Sequence, residues 1–102
     1  MSDDVQHNAA SQRYELAVGD GLAVVTYVRH GDVVAFEHTE VPESMRGQGV
    51  AGRLIAGALA DARARGLSVR PDCPTVASYM RRHADVQDLL SDEGREIVAR
   101  SA

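Results

Sequence analysis

The sequence predicts an α+β fold, in which an antiparallel meander of three strands leads into a β-α-β unit followed by a second, short helix. Three apolar segments separated by short, glycine-containing turns predict the meander. The hydrophobic period then changes from two residues to about 3.6, which predicts one long amphipathic helix. The chain has 102 residues, 44% hydrophobic and 25% charged, and this size and mixture fit one domain with one core.

The meander begins after a polar N-terminal segment. Residues 1–12 show no hydrophobic pattern, which predicts a flexible tail ahead of a single domain over residues 13–102. Residues 14–18 then alternate apolar with polar or small side chains, as a half-buried strand does. Residues 22–28 and 33–41 are apolar and β-branched, and each follows a turn that contains glycine. The three segments are therefore expected to form consecutive antiparallel strands.

The β-α-β unit follows the third strand. A helix over residues 49–65 is predicted by an apolar stripe, and Gly66 stands where a left-handed cap is expected. Residues 67–70 predict a short strand, parallel to the third strand because the helix would cross over between them. A second helix is predicted to start near Thr75, and the segments VQDLL and GREIVARSA are too short for a prediction. The apolar stripe consists of Val50, Leu54, Ile55, Ala58, Leu59 and Ala62.

Composition narrows the class of partner. The formal net charge of −4 gives no general attraction to nucleic acid or to an anionic membrane, so a small molecule or a protein is the expected partner. No apolar run approaches the roughly 20 residues of a membrane span, and the N-terminus is acidic, so a cytoplasmic location is expected. Cys73 is the only cysteine, which excludes an internal disulfide and a cysteine-based zinc site, and no metal is expected.

A glycine-rich segment, RGQGVA over residues 46–51, stands between the third strand and the long helix. The first N–H groups of a helix have no intrahelical partner and lie at the positive end of its dipole, so they bind anions. Glycine lets the backbone approach a diphosphate closely, and no acidic residue lies between Arg46 and Leu59. The alternative is a glycine turn that only packs the helix against the sheet. The coincidence of strand, loop, basic residue and helix favours phosphate binding.

Two common phosphate-binding classes do not fit this segment. A nucleoside triphosphatase loop needs a Lys-Ser/Thr pair, and the segment contains no lysine. Residues 47–52 formally match the GxGxxG pattern, but they follow an antiparallel meander rather than the first strand of a dinucleotide-binding unit.

The same residues resemble the Q/R-x-x-G-x-G/A signature of GNAT-type N-acetyltransferases. Residues 13–90 are similar to the small, single-domain GNAT-like proteins, with H-T-E-V-P, R-G-x-G, C-P and Y-x-R-R-H motifs in that order. The resemblance implies acetyl-coenzyme A as cosubstrate and an amine as acceptor. It also implies that the third strand splays from its parallel neighbour and that the main chain of Val41 binds the pantetheine arm. Pyrophosphate binding is implied for Arg46, Gly47, Gln48, Gly49, Val50 and Ala51.

Acetyl transfer needs a deprotonated nucleophile, oxyanion donors and an acid for the leaving thiolate. His38, with Glu40 on the same face of its strand, is a candidate base, although an ordinary strand histidine fits equally well. Tyr79, whose position matches a tyrosine of larger relatives, is a candidate acid or a core residue. Cys73 precedes a helix near Arg70 and other cations, which suits an activated thiol, whereas a buried structural thiol is the alternative.

Two functions from different classes remain open. One is an acetyltransferase that acts on an amine. The other is a module that binds a coenzyme A thioester or a partner protein without turnover, because the chain lacks the opening helices that shape the acceptor pocket in larger relatives. The sequence identifies neither the acceptor nor the oligomeric state.

Overall fold

The computed structural model of the protein describes residues 5–100 and confirms the α+β class. Within these residues five strands form one sheet in the order β1-β2-β3-β4-β5, antiparallel except for the parallel pair of β4 and β5. None of the helices in this part of the chain has the length and apolar composition of a membrane span. The strands are β1 (Gln6–Asn8), β2 (Arg13–Val18), β3 (Gly21–His30), β4 (Val33–Glu40) and β5 (Ser68–Pro71). The α-helices are α1 (Val50–Ala64), α2 (Pro74–Arg82) and α3 (Asp92–Arg100), and Glu43–Met45 and Ala84–Leu89 form 3₁₀ helices.

Helix α1 crosses from β4 to β5 and packs its apolar stripe on the sheet. All six predicted stripe residues are buried, and Leu54 is fully buried, as is Val25 on β3. Full burial of such a side chain stabilises the fold by about 1.5–3 kcal/mol. Gly66 adopts a left-handed φ of +71° and the Leu67 N–H donates to the Ala62 carbonyl, which ends the helix as predicted.

A bulge in β4 decides which side chains face the helices. Tyr27 pairs with Phe36, but Thr26 pairs with His38, so the register shifts by one residue at Glu37. Thr39 consequently pairs with Val25, which is fully buried in the core. Because paired residues share a face, Thr39 faces the helices and His38 faces the opposite side of the sheet.

Strands β4 and β5 separate after a short parallel ladder, as predicted. Their last pair is Phe36 with Pro71, and the Cys73 N–H then donates to the Phe36 carbonyl at 2.8 Å. Beyond this point the end of β4 has no strand pair on the β5 side within residues 5–100. The separation opens a gap in the sheet beside Thr39 and the residues that follow it.

The N-terminal segment differs from the predicted flexible tail. Gln6–Asn8 forms β1 and pairs with β2, whereas residues 1–4 lie outside the described part of the chain. The His7 ring stacks on Tyr14 with centroids 4.5 Å apart and hydrogen-bonds the Tyr27 hydroxyl. These contacts join residues that are distant in sequence, so no local hydrophobic pattern predicts them.

Helix α3 closes the far edge of the sheet. Leu90 forms a parallel bridge with Val69 of β5, and the Ser91 N–H donates to the Val69 carbonyl at 2.9 Å. Gly94 permits the close approach, because an added Cβ there would lie 2.6 Å from the Val69 carbonyl oxygen. Residues 90–100, for which the sequence predicted no structure, therefore complete the packing of β5.

A polar contact between β2 and α1 predicts a pH-dependent stability. The Tyr14 hydroxyl donates to Asp61, and Arg65 Nε lies 2.7 Å from the same carboxylate. Burial raises the pKa of Asp61, but these hydrogen bonds outweigh it and hold the pKa below its ordinary value. Because the folded pKa is the lower one, the carboxylate stabilises the fold at neutral pH. That stabilisation is lost as the pH falls below about 4 towards the folded pKa.

We expect Asp61→Asn to lower the free energy of unfolding by about 1 kcal/mol at pH 7, and by less at pH 3. Urea unfolding at both pH values measures the difference, with Asp20→Asn in an exposed turn as the control. An equal loss at the two pH values would show that the charge of Asp61 plays no part.

Candidate functional site

An open cleft of about 320 Å³ lies where the end of β4 meets the first turns of α1 and α2. Six of the seven residues predicted to bind a cofactor line it; the seventh, Gln48, instead donates to the Ser44 carbonyl. The cleft therefore joins the gap in the sheet to the glycine-rich loop. The lining residues are Thr39, Val41, Met45, Arg46, Gly47, Gly49, Val50, Ala51, Gly52 and Thr75.

The loop presents backbone rather than side chains to the cleft. Gly47 and Gly49 have φ of +80° and +73°, left-handed values that strain other residues. Gly49 is the N-cap of α1, so it supplies no side-chain cap for the first N–H groups of the helix. The first turn of α1 also carries no acidic residue. The positive end of the helix dipole thus meets the cleft without a carboxylate beside it, which suits an anionic ligand.

Met45 and Arg46 hold the loop in place. Met45 is buried and packs over Gly21, where an added Cβ would collide with the methionine sulfur. Arg46 Nε donates to the Val41 carbonyl at 3.3 Å, so two of the predicted binding residues contact each other. The exposed guanidinium stands at the rim of the cleft, within the same loop as the open amides.

Cys73 lies directly behind the wall of the cleft. It is the N-cap of α2 and only 3% exposed, and its Sγ lies 3.2 Å from the Thr39 hydroxyl. Burial raises the pKa of the thiol, but the Thr39 hydroxyl and the backbone N–H groups of Val76 and Thr75 outweigh burial and bring the pKa below its ordinary value. The thiolate is therefore favoured relative to an ordinary buried cysteine.

The groups that lower the pKa of Cys73 are uncharged, whereas the sequence suggested nearby cations. Arg70 is engaged elsewhere, since its guanidinium lies 3.0 Å from Asp72 and 3.1 Å from Glu93. His83 Nδ1 contacts the Tyr79 carbonyl at 2.7 Å. Hydroxyl and amide dipoles thus replace the expected positive charges around the thiol.

Tyr79 lies one helical turn beyond Thr75 on α2, close to the cleft but not in its wall. An added Cβ on Gly52 would lie 3.9 Å from the tyrosine ring, which stacks on His83 with centroids 3.8 Å apart. Tyr79 instead lines a second groove between α1 and residues 84–89. Burial and the Asp85 carboxylate raise its pKa, which keeps the hydroxyl protonated at neutral pH.

His38 lies on the opposite face of β4 from the thiol. It is exposed and its Nε2 lies 3.2 Å from Glu40, with which it shares the outer face as the alternation predicted. With Leu22 these two side chains line a groove on that side of the strand. The structure therefore places Cys73 behind the cleft that the predicted cofactor loop lines, and His38 across the strand from the thiol.

Thr39 and Thr75 are site residues that the sequence reasoning missed. Both line the cleft, and both influence the thiol behind them. A signal existed for Thr39, because it alternates with His38 and Glu40 and so shares a face with Val41. Thr75 follows the Cys-Pro pair at the start of α2, where side chains lie near the helix N-terminus.

Comparison with protein families identifies the class to which this fold and cleft belong. A family model described as GCN5-related N-acetyl-transferase matches residues 13–89, which include the sheet from β2 to β5, the glycine-rich loop and Cys73. The chain belongs to this family, and the resemblance found in the sequence is confirmed. Membership supports a function of the acetyltransferase type. No curated protein matches the chain.

Proposed function

We propose that the protein transfers an acetyl group from acetyl-coenzyme A to an amine. The observation that carries this proposal is the cleft, which joins an uncapped helix N-terminus to the β4 edge that β5 has left, with the Cys73 thiol of lowered pKa directly behind its wall. The helix N-terminus suits an anion, and the β4 edge suits an extended arm that carries amide groups. The thiol suits a thioester. Family membership supports the same class of reaction.

The residues present fit this cosubstrate. The open N–H groups of residues 47–51 and the Arg46 guanidinium suit its pyrophosphate. The end of β4, from Thr39 to Val41, offers backbone groups on the side where β5 has separated. A pantetheine arm carries amide donors and acceptors that pair with such an edge. Arg46 would then exchange its bond to the Val41 carbonyl for the pyrophosphate.

Cys73 is proposed as the nucleophile of a two-step transfer. Its thiolate attacks the acetyl carbonyl, a new C–S bond forms, and the bond to the coenzyme A sulfur breaks. The coenzyme A thiolate leaves and takes a proton, for which Tyr79 is the proposed donor. A neutral amine then attacks the acetylated Cys73, the amide forms, the thiolate returns, and the ammonium proton passes to solvent or to a base. His38 lies on the outer face of β4, so as the proposed base it would receive this proton through water rather than by direct contact.

The direct test is to incubate the protein with acetyl-coenzyme A and a panel of amines. The panel holds small primary amines, a polyamine, lysine-containing peptides and peptides with free N-termini. We expect amine-dependent release of coenzyme A and an acetylated product detected by mass spectrometry, both lost in a Gly49→Asp variant. Saturable coenzyme A binding without product from any amine would favour a non-catalytic binding module.

A further inference from the structure

The Thr39 hydroxyl is the side-chain group that connects the cleft with the buried thiol from the β4 side. Thr39 lines the cleft, and its Oγ1 lies 3.2 Å from Cys73 Sγ. The thiol itself is 3% exposed and is not part of the cleft wall. Thr75 stands on the α2 side of the same sulfur and also lines the cleft. Two hydroxyl-bearing residues therefore separate the sulfur from the space in front of it.

The packing of Thr39 does not itself require a hydroxyl. Its cross-strand partner is Val25, an apolar side chain in the core, and a valine at position 39 would keep the β-branched shape that a strand favours. The hydroxyl adds a hydrogen-bonding group 3.2 Å from the sulfur, and the bulge at Glu37 places it on that face. The hydroxyl of Thr39 is thus better explained by its contact with the Cys73 thiol than by packing in the core.

We propose that Thr39 is a positioning residue for Cys73, with Thr75 as its counterpart on α2. The Thr39 O–H donates to the sulfur, holds it directly behind the wall of the cleft and stabilises its anionic form relative to the protonated thiol. A chemical role for the thiol in acetyl transfer rests on the function proposed above. The effect of Thr39 on the thiol does not, and it can be measured without acetyl-coenzyme A.

The groups that shift the pKa of the Cys73 thiol lie on β4 and α2. Strand β4 contributes the Thr39 hydroxyl, and α2 contributes the Thr75 side chain and the first N–H groups of the helix. Burial acts in the opposite direction. Because none of these groups titrates near neutral pH, the pH dependence of Cys73 alkylation reports the ionisation of the thiol itself.

The test is the rate of Cys73 alkylation by iodoacetamide as a function of pH. Burial slows the reaction at every pH, so the midpoint of the profile reports ionisation and the plateau reports access. We expect Thr39→Val to move the midpoint to higher pH and to slow alkylation at pH 7 by about two- to tenfold. Thr39→Ser should restore the wild-type midpoint. The matched control is Thr26→Val, which removes a hydroxyl from the outer face of β3.

Turnover gives the second readout. Thr39→Val should lower kcat while leaving the KM for acetyl-coenzyme A unchanged, and Thr75→Val should act in the same direction. An unshifted midpoint in both valine variants would overturn the proposal. A shifted midpoint with unchanged kcat would support the positioning of the thiol by Thr39 and overturn only the proposed role of Cys73 in turnover. If the wild-type protein acetylates no amine, the proposed function fails, whereas the alkylation profiles still decide whether Thr39 controls the thiol.

Discussion

Replacing Gly49 with aspartate is expected to weaken coenzyme A binding by about a hundredfold or more. Gly49 caps α1 with a φ of +73°, and its missing side chain leaves the first N–H groups of the helix open to the cleft. An aspartate would place a carboxylate beside the proposed pyrophosphate site, where two like charges about 4 Å apart repel by about 4 kcal/mol at an effective dielectric constant of 20. Calorimetric titration with coenzyme A measures the loss.

Gly31 provides a matched control for this substitution. It has a φ of +62° in the turn between β3 and β4, and an added Cβ meets no atom within 4 Å there or at Gly49. Gly31→Asp therefore adds the same charge and a similar backbone strain outside the cleft, and it should bind coenzyme A normally. Gly49→Ala separates strain from charge and should lose less affinity than Gly49→Asp. Unchanged affinity in a folded Gly49→Asp protein would contradict the phosphate site.

Cys73→Ala is expected to lower kcat by about a hundredfold or more while coenzyme A affinity stays unchanged. The thiol is the proposed acyl carrier, and removal of a nucleophile or of an acid-base group typically costs at least this factor. The groups proposed to bind coenzyme A lie in the loop and along β4, so this substitution leaves them intact. Steady-state kinetics with the best amine of the panel, together with the same titration, separate the two effects.

Two further variants test whether the loss of turnover is specific to the Cys73 thiol. Cys73→Ser keeps a hydroxyl of similar size but a weaker nucleophile, so it should resemble the alanine variant in kcat. His38→Ala should leave the midpoint of Cys73 alkylation unchanged, because His38 lies across the strand, and the kcat of this variant tests the base proposed on the outer face. Normal turnover in both cysteine variants would show that Cys73 takes no part in the chemistry and only packs behind the cleft.

Much of the fold was predictable because its elements carry their own hydrophobic period. The stripe of α1 and the apolar strands β2 to β4 each bury a face that is visible in the local sequence. The cap at Gly66 was predictable for a similar reason, since glycine favours the left-handed conformation. Strand β1 and helix α3 were not, because His7 and Gly94 act through contacts with distant residues.

In the candidate site too, a local feature was predictable from the sequence and a contact between distant residues was not. The glycine-rich loop at the start of α1 was predictable from consecutive residues, because glycine adopts the left-handed φ of a tight turn into a helix. Phosphate binding at this loop stays a prediction. The contact of Thr39 with Cys73 joins residues 34 positions apart, and it depends on a bulge that adds one residue to β4. The bulge interrupts the alternation, since Glu37 and His38 are both exposed, but two adjacent polar residues in a sequence do not by themselves identify a bulge. The uncharged surroundings of the thiol likewise became visible only once Arg70 was seen to pair with Asp72.

The most direct test of the central claim is an NMR titration of the ¹⁵N-labelled protein with acetyl-coenzyme A. The account predicts saturable binding, with the largest amide shifts at residues 47–51 and at the end of β4, from Thr39 to Val41. The Gly31→Asp protein should give the same map, and the Gly49→Asp protein should give none at the same concentrations. Absence of binding, or saturable shifts confined to the groove beside Tyr79 and Asp85, would contradict the account.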